Sequence, residues 1–231
     1  MDYLRPQYGR TLVDMSCGSG LFTRRFAKSG KFDGVIASDF SESMLSQTYD
    51  FIERDSAIDP TSVLLLRADV GRLPFETGSV SAIHAGKRPP SIAQLTHRRM
   101  CLRCAMSRHA VHMRFSRAGA AIHCWPNPSA ALAEISRVLK PGGVFVGSTF
   151  LDGVAPLGEL LGNDSLVAPL KMFDPTQRIV SSQYRWWSEA ELRDLCASVG
   201  LKGFERQRRM RFILWCVRKP QPLSDAAGAP Q

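Results

Sequence analysis

Residues 13–22 read VDMSCGSGLF. A short apolar run carries an acid near its end, passes through two glycines two positions apart, and opens into a helix-like stretch. In an open α/β sheet the ligand lies beyond the carboxyl ends of the strands, near the first strand–helix turn. Gly18 and Gly20 remove the Cβ atoms that would hold a ligand away from the backbone. A tight structural turn would use the same glycines, so the neighbouring residues have to decide. A dinucleotide fingerprint wants a third glycine at position 23, where Thr23 stands. Asp14, inside the strand end, would repel a pyrophosphate and suits a ligand that brings positive charge, an ammonium or a sulfonium.

Working outward, strand and helix patterns alternate. Strands read at 11–17, 34–40, 62–70, 80–86 and 143–150, with helices at 21–30, 41–55, 128–139 and 186–200. Phe22 and Phe26 share a face of the first helix, and Gly30 sits where a C-cap glycine belongs. In the second, Met44, Leu45, Thr48, Phe51 and Ile52 form the buried stripe, with Ser41 as N-cap. The unbroken apolar run in 62–70 is that of a parallel strand covered on both faces. Ser188 and Glu191 make a capping box for the last helix. LKGFERQ and MRFILWCVR then follow without a helix between them, which puts one antiparallel strand in the sheet. Residues 151–183 give no assignable pattern, and QPLSDAAGAPQ reads as a disordered tail. The expected fold is α/β: a Rossmann-like, doubly wound, mostly parallel seven-stranded sheet with one antiparallel strand.

Two more strand ends carry acids. Asp39 lies nineteen residues beyond Gly20, where a carboxylate accepts from both hydroxyls of a ribose; capping the helix at 41 is its alternative role. Asp69 and Val70 close the third strand, a pair able to accept from an exocyclic adenine amine and cover the ring. Three strand-end acids beside one glycine turn point to a cationic nucleoside.

These motifs resemble the class I S-adenosylmethionine-dependent methyltransferases of the type 11 group. VDMSCGSGLF resembles the first motif, IASDFSESML the second, RADVGRLPFETGSVSAIHAG the third and fourth, and AALAEISRVLKPGGVFVGSTF the following helix and strand. SCGSGLFTRRFAKSG, DFSESML and HCWPNPS are more narrowly similar to plant plastid methyltransferases related to the quinone-methylating enzymes. The resemblance implies S-adenosyl-L-methionine as cofactor. Asp14, Cys17, Gly18 and Gly20 would lie along its methionine part, Asp39 at the ribose, Asp69 and Val70 at the adenine, with Phe40 and Met44 against the adenosine. It implies a small, apolar methyl acceptor, quinone-like or lipid-like, with His84 and His123 as candidate bases and Trp125 as a wall of the acceptor site. It also implies a plastid location, or a cytoplasmic one if the chain is never imported. Only ten residues precede the first strand, so the helix that usually covers the cofactor would be mostly absent and cofactor binding weak.

Composition sets limits. At 231 residues, 44% hydrophobic and 22% charged, the chain suits one globular domain, 1–218, with a tail at 219–231. No apolar run is long enough to span a bilayer, which leaves peripheral contact with a membrane or lipid droplet as the membrane option. The six cysteines lack framework spacing and read as free thiols. The net charge is +9, yet residues 87–119 hold eight of the thirty Lys and Arg and no acid, leaving 22 basic against 21 acidic residues elsewhere. That block contains MCLRCAMSRHAVH, whose Cys101, Cys104, His109 and His112 offer four zinc-type ligands. The histidines follow too soon for a finger helix and no apolar core accompanies them, so no metal is expected. Nor does an aromatic platform interleave the cations, which argues against nucleic acid as the partner. His84-Ala85-Gly86 and Ala120-Ala121-Ile122 join smoothly without the block. It reads as a flexible insertion, or as an unspliced intron that stays in frame. A chain that keeps the fold without turnover, or one binding nucleic acid through the block, are the alternatives.

Overall fold

The structure, a computed structural model, describes residues 2–86, 121–152, 154–161, 166, 169–170 and 187–222. The basic block, most of 151–183 and nearly all of the tail lie outside them. Seven strands form one sheet: β1 (Thr11–Met15), β2 (Gly34–Asp39), β3 (Val63–Arg67), β4 (Val80–Ala85), β5 (Leu139–Phe150), β6 (Lys202–Arg209) and β7 (Phe212–Arg218). Their order is β3-β2-β1-β4-β5-β7-β6. The first five run parallel, and β7 is antiparallel to both its neighbours. The expected fold class, down to the single reversed strand, is what the chain forms.

Two helices cross between the early strands, α1 (Leu21–Lys28) and α2 (Glu42–Glu53). After β4 come α3 (Ala121–Cys124) and α4 (Pro128–Val138), then α5 (Ala155–Leu160) and α6 (Glu189–Ser198). Alternation along β1 divides the core. Val13 and Met15 face α4 and α6, packing with Ile83, Phe145 and Trp215 against Leu132, Ile135 and Leu192. Leu12 faces the other way, joining Ala82, Val146, Phe26 and Leu4, the last from a 3-10 turn at Asp2–Gln7. Asp14 therefore points to the α1 side while Met15 points to the α4 side. That one-residue difference governs the chemistry below.

The helices begin where their caps say. Asn127 accepts from the Ala130 N–H ahead of Pro128, and Ser188 with Glu191 forms the complete capping box. Three expectations need correction. β3 lies at the sheet edge with Leu64 59% exposed, so its apolar run is covered on one face only. Phe51 leaves the α2 stripe and lies on the surface under the Arg24 guanidinium, 4.7 Å from its ring centre. And β5 starts at Leu139, ahead of the Pro-Gly-Gly stop, because Leu139 pairs with Val80 before a register shift brings Val144 opposite Ala82.

Gly147 of β5 has the fully buried Trp215 of β7 lying against it: a Cβ there would be 2.3 Å from the indole. Gly147→Ala is expected to lower unfolding free energy by about 1–3 kcal/mol through overpacking. Denaturant melts followed by circular dichroism check this, and an unchanged midpoint would contradict it.

Candidate cofactor cleft

The glycine turn is held from two sides. Gly18 and Gly20 have φ of 58° and 72°, the left-handed region that glycine enters without strain. The Gly18 N–H donates to Asp39 Oδ2 at 2.9 Å, and its carbonyl accepts from Thr48 Oγ1 of α2 at 2.8 Å. A Cβ on Gly20 would come within 2.5 Å of the Thr48 methyl, so turn and helix pack at backbone distance. The other Asp39 oxygen accepts from the Ser41 N–H at 2.9 Å. The acid thus caps the entry to α2, its alternative role, and also lines the cleft beside it.

Next to it, a cleft of about 270 Å³ opens at the carboxyl end of the sheet. Asp39, Phe40, Asp69, Val70 and Trp125 line it, together with Met15 and Ser16. No Lys or Arg does. Asp69 Oδ1 accepts from the Gly71 N–H at 2.8 Å, which shapes the turn carrying Val70. Behind that turn, Arg137 of α4 donates to the carbonyls of Leu73 and Phe75 at 3.1 and 2.9 Å. Glu134 accepts from the Leu73 N–H at 2.9 Å and binds Arg137. The Arg137 guanidinium holds the Glu134 carboxyl below its usual range.

Other predicted residues stand elsewhere. Cys17 is buried in the turn, its thiol pushed well up by burial and by the nearby Asp14 and Asp39. Met44 is half-buried and does not line the cleft. Asp14, 1% exposed, has its carboxylate turned inward: Oδ2 accepts from Thr23 Oγ1 at 2.5 Å and Oδ1 meets His84 Nδ1 at 2.8 Å. His84 accordingly lies on the α1 side of the sheet. His123, on α3, meets Thr149 Oγ1 at 2.8 Å. The two histidines are thereby on opposite faces.

Ser16, Glu134 and Arg137 escaped the sequence reading, and Thr48 entered it only as part of the buried α2 stripe. Ser16 has φ of 54°, rare outside glycine, and its hydroxyl accepts from Trp125 Nε1 at 3.0 Å. Nothing local in the sequence marks a contact across 109 positions.

Two models described as "Methyltransferase domain" match residues 12–106 and 115–147. Two uncharacterized chloroplastic methyltransferases of Arabidopsis thaliana are 40% and 38% identical over 95% and 94% of this chain. The chain belongs to the S-adenosylmethionine-dependent methyltransferase family. It spans about half the length of these two relatives, 50% of each. Among solved structures, a SAM-dependent methyltransferase of Methanosarcina mazei superposes with a TM-score of 0.59 at 15% identity, covering 92% of this chain and 93% of that one. At that identity the likeness is one of fold.

The methyltransferase cleft fits its family's cofactor on its own chemistry. The nucleoside needs two acceptors at a diol, an apolar slot for a ring, and bare backbone beside a charged sulfur. Asp39 and the Val70–Phe40 pair line the cleft and offer the first two; the Gly18–Gly20 turn, bonded to Asp39, is buried beside it and outside its lining, and the absence of Lys and Arg among the described lining residues disfavours a phosphate-bearing ligand.

The Glu134–Arg137 clamp gives a pH-dependent expectation. A carboxyl depressed in the folded state adds stability above its unfolded pKa, and that stability is lost as pH falls through the folded value. Glu134→Gln should therefore lower stability near neutrality and lose less on acidification to about pH 4 than the parent. Thermal melts at both pH values test it; parallel losses in the two proteins would contradict it.

Proposed function

We propose that this chain binds S-adenosylmethionine in the cleft and directs its methyl group to a small, apolar acceptor, quinone-like or lipid-like. The observation that carries the reading is Asp39: one carboxylate fastens the glycine turn and the start of α2 while facing the cleft. Bound there, the cofactor supplies an electrophilic methyl on a sulfonium and so its own leaving group. The chain's residues do the rest. Asp39 orients the ribose through both oxygens, Asp69 receives the adenine amine, and Val70 and Phe40 cover the ring. Cys17, Gly18 and Gly20 lie along the methionine part, with the Asp14 charge behind them and Met44 of α2 nearby. Trp125, fixed by Ser16, closes the wall toward the acceptor and excludes water. His84 and His123 are the two candidate bases, one on each face of the sheet.

The chloroplastic relatives support a plastid setting, and an apolar acceptor there would reach the enzyme from a membrane or lipid droplet. Among the described residues no helix is long and apolar enough to cross a membrane. Residues 87–119 are read as an insertion in a single methyltransferase domain; the two family matches run into the block from either side and leave 107–114 unmatched. A second reading is a chain that keeps the fold and lacks turnover because the insertion interrupts it. Deleting 87–119 should then raise methylation.

Asp39→Ala tests the cofactor assignment. Removing hydrogen bonds to a charged acceptor should weaken S-adenosylmethionine binding by about tenfold to a hundredfold in calorimetry. Equal affinity in the variant and the parent would sink the assignment.

A further inference from the structure

The short helix after β5 has its polarity inverted. In α5 (Ala155–Leu160) the small residues Ala155 and Gly158 are buried, while Leu157 and Leu160 are exposed, Leu160 by 82%. The Leu161 N–H still donates to the Leu157 carbonyl at 3.0 Å, and Leu161 is exposed too. Positions 157, 160 and 161 stand three and four apart, so the three leucines share one helix face. A surface helix ordinarily buries such a stripe; this one presents it to solvent.

A hairpin tip tied to α5 does the same. β6 and β7 join through Met210 and Arg211, and Met210 is 66% exposed at a φ of 54°. Two-residue tips favour glycine, asparagine or aspartate at such angles, so a methionine here bears strain without gaining burial. Arg208 links the two elements, its guanidinium donating to the carbonyls of Ala155 in α5 and Met210 at the tip. Phe150 at the end of β5 pairs with Phe212, and Phe212 pairs with Arg209. The tip therefore lies at the carboxyl edge of the parallel strands, the edge on which the cofactor cleft opens.

The charge around this surface is positive. Lys202, Arg206, Arg208, Arg209 and Arg211 stand on the hairpin against one acid, Glu205, which pairs with Arg218. The buried Glu189 of α6 is shared by Arg193, Arg206 and Arg208, one carboxylate among three guanidiniums. Arg193 and Arg206 stay 55% and 46% exposed. Asp152, just ahead of α5, is buried.

We infer that this leucine and methionine surface, with its arginines, docks the enzyme on an anionic lipid bilayer. The apolar side chains enter the boundary between headgroups and acyl chains, and the exposed guanidiniums meet lipid phosphates. An isologous contact with a second copy would instead set these arginines against one another. The inference rests on the function proposed above, whose apolar acceptor dissolves in a membrane, and names the surface that meets that membrane.

Sedimentation of the full chain with vesicles, in the absence of cofactor and acceptor, tests it. Vesicles of equal parts phosphatidylcholine and phosphatidylglycerol should carry the chain down, and phosphatidylcholine alone should bind it about tenfold less well. Leu160→Glu should weaken the anionic binding by about tenfold, since it removes an apolar contact and adds a like charge. Met210→Asn, which suits the left-handed backbone, should weaken it several-fold while keeping or raising the melting temperature. The eight cations of 87–119 are present in parent and variants alike, so their attraction to the vesicles does not distinguish them. No sedimentation of the parent, parent-like sedimentation of either variant, or a parent dimer that Leu160→Glu dissociates without any vesicle binding overturns the inference. Calorimetry with S-adenosylmethionine, free of vesicles, keeps the two claims apart. Its failure in the parent strikes the cofactor reading, while Leu160→Glu should leave that affinity unchanged.

Discussion

One carboxylate organises this molecule's ligand-binding edge. Asp39 ends β2, accepts from the Gly18 N–H across the sheet edge, and accepts from Ser41 at the entry to α2. Charge-assisted bonds of this kind contribute about 1.5–3 kcal/mol each, enough to hold a two-glycine turn in a conformation it would otherwise leave. Thr48 secures the same turn from behind. The cleft is therefore set by the fold before any ligand arrives, and Asp39, which shapes it, also lines it.

The second organising fact is the alternation of β1. Met15 lines the cleft and Asp14, one residue earlier, reaches the opposite face. There it spends both oxygens on Thr23 and His84. An acid that could have been a cofactor contact becomes the anchor of a histidine.

Much of this was legible in the chain. Strand–helix alternation gave the sheet, and the unlinked final pair gave the reversed β7, because period and connection length are local properties. Asp39, Asp69 and Val70 could be placed because strand ends converge on one edge in any such sheet. Exposure was less legible: β3 has the composition of a buried strand and yet ends the sheet, since nothing in its residues says how many strands follow. The orientation of Asp14 was hidden too, because it depends on His84 standing beside it across β4. Ser16 and Trp125 meet only through the fold, and a serine at a left-handed position gives no local signal.

The central claim is that the edge between β1, β2 and β3 receives a cationic nucleoside. Photolabelling with 8-azido-S-adenosylmethionine tests it most directly. The account predicts label on the peptides carrying Asp39–Phe40 and Asp69–Val70, displaced by S-adenosylhomocysteine and untouched by NAD. Label elsewhere in the chain, or displacement by NAD alone, would contradict it.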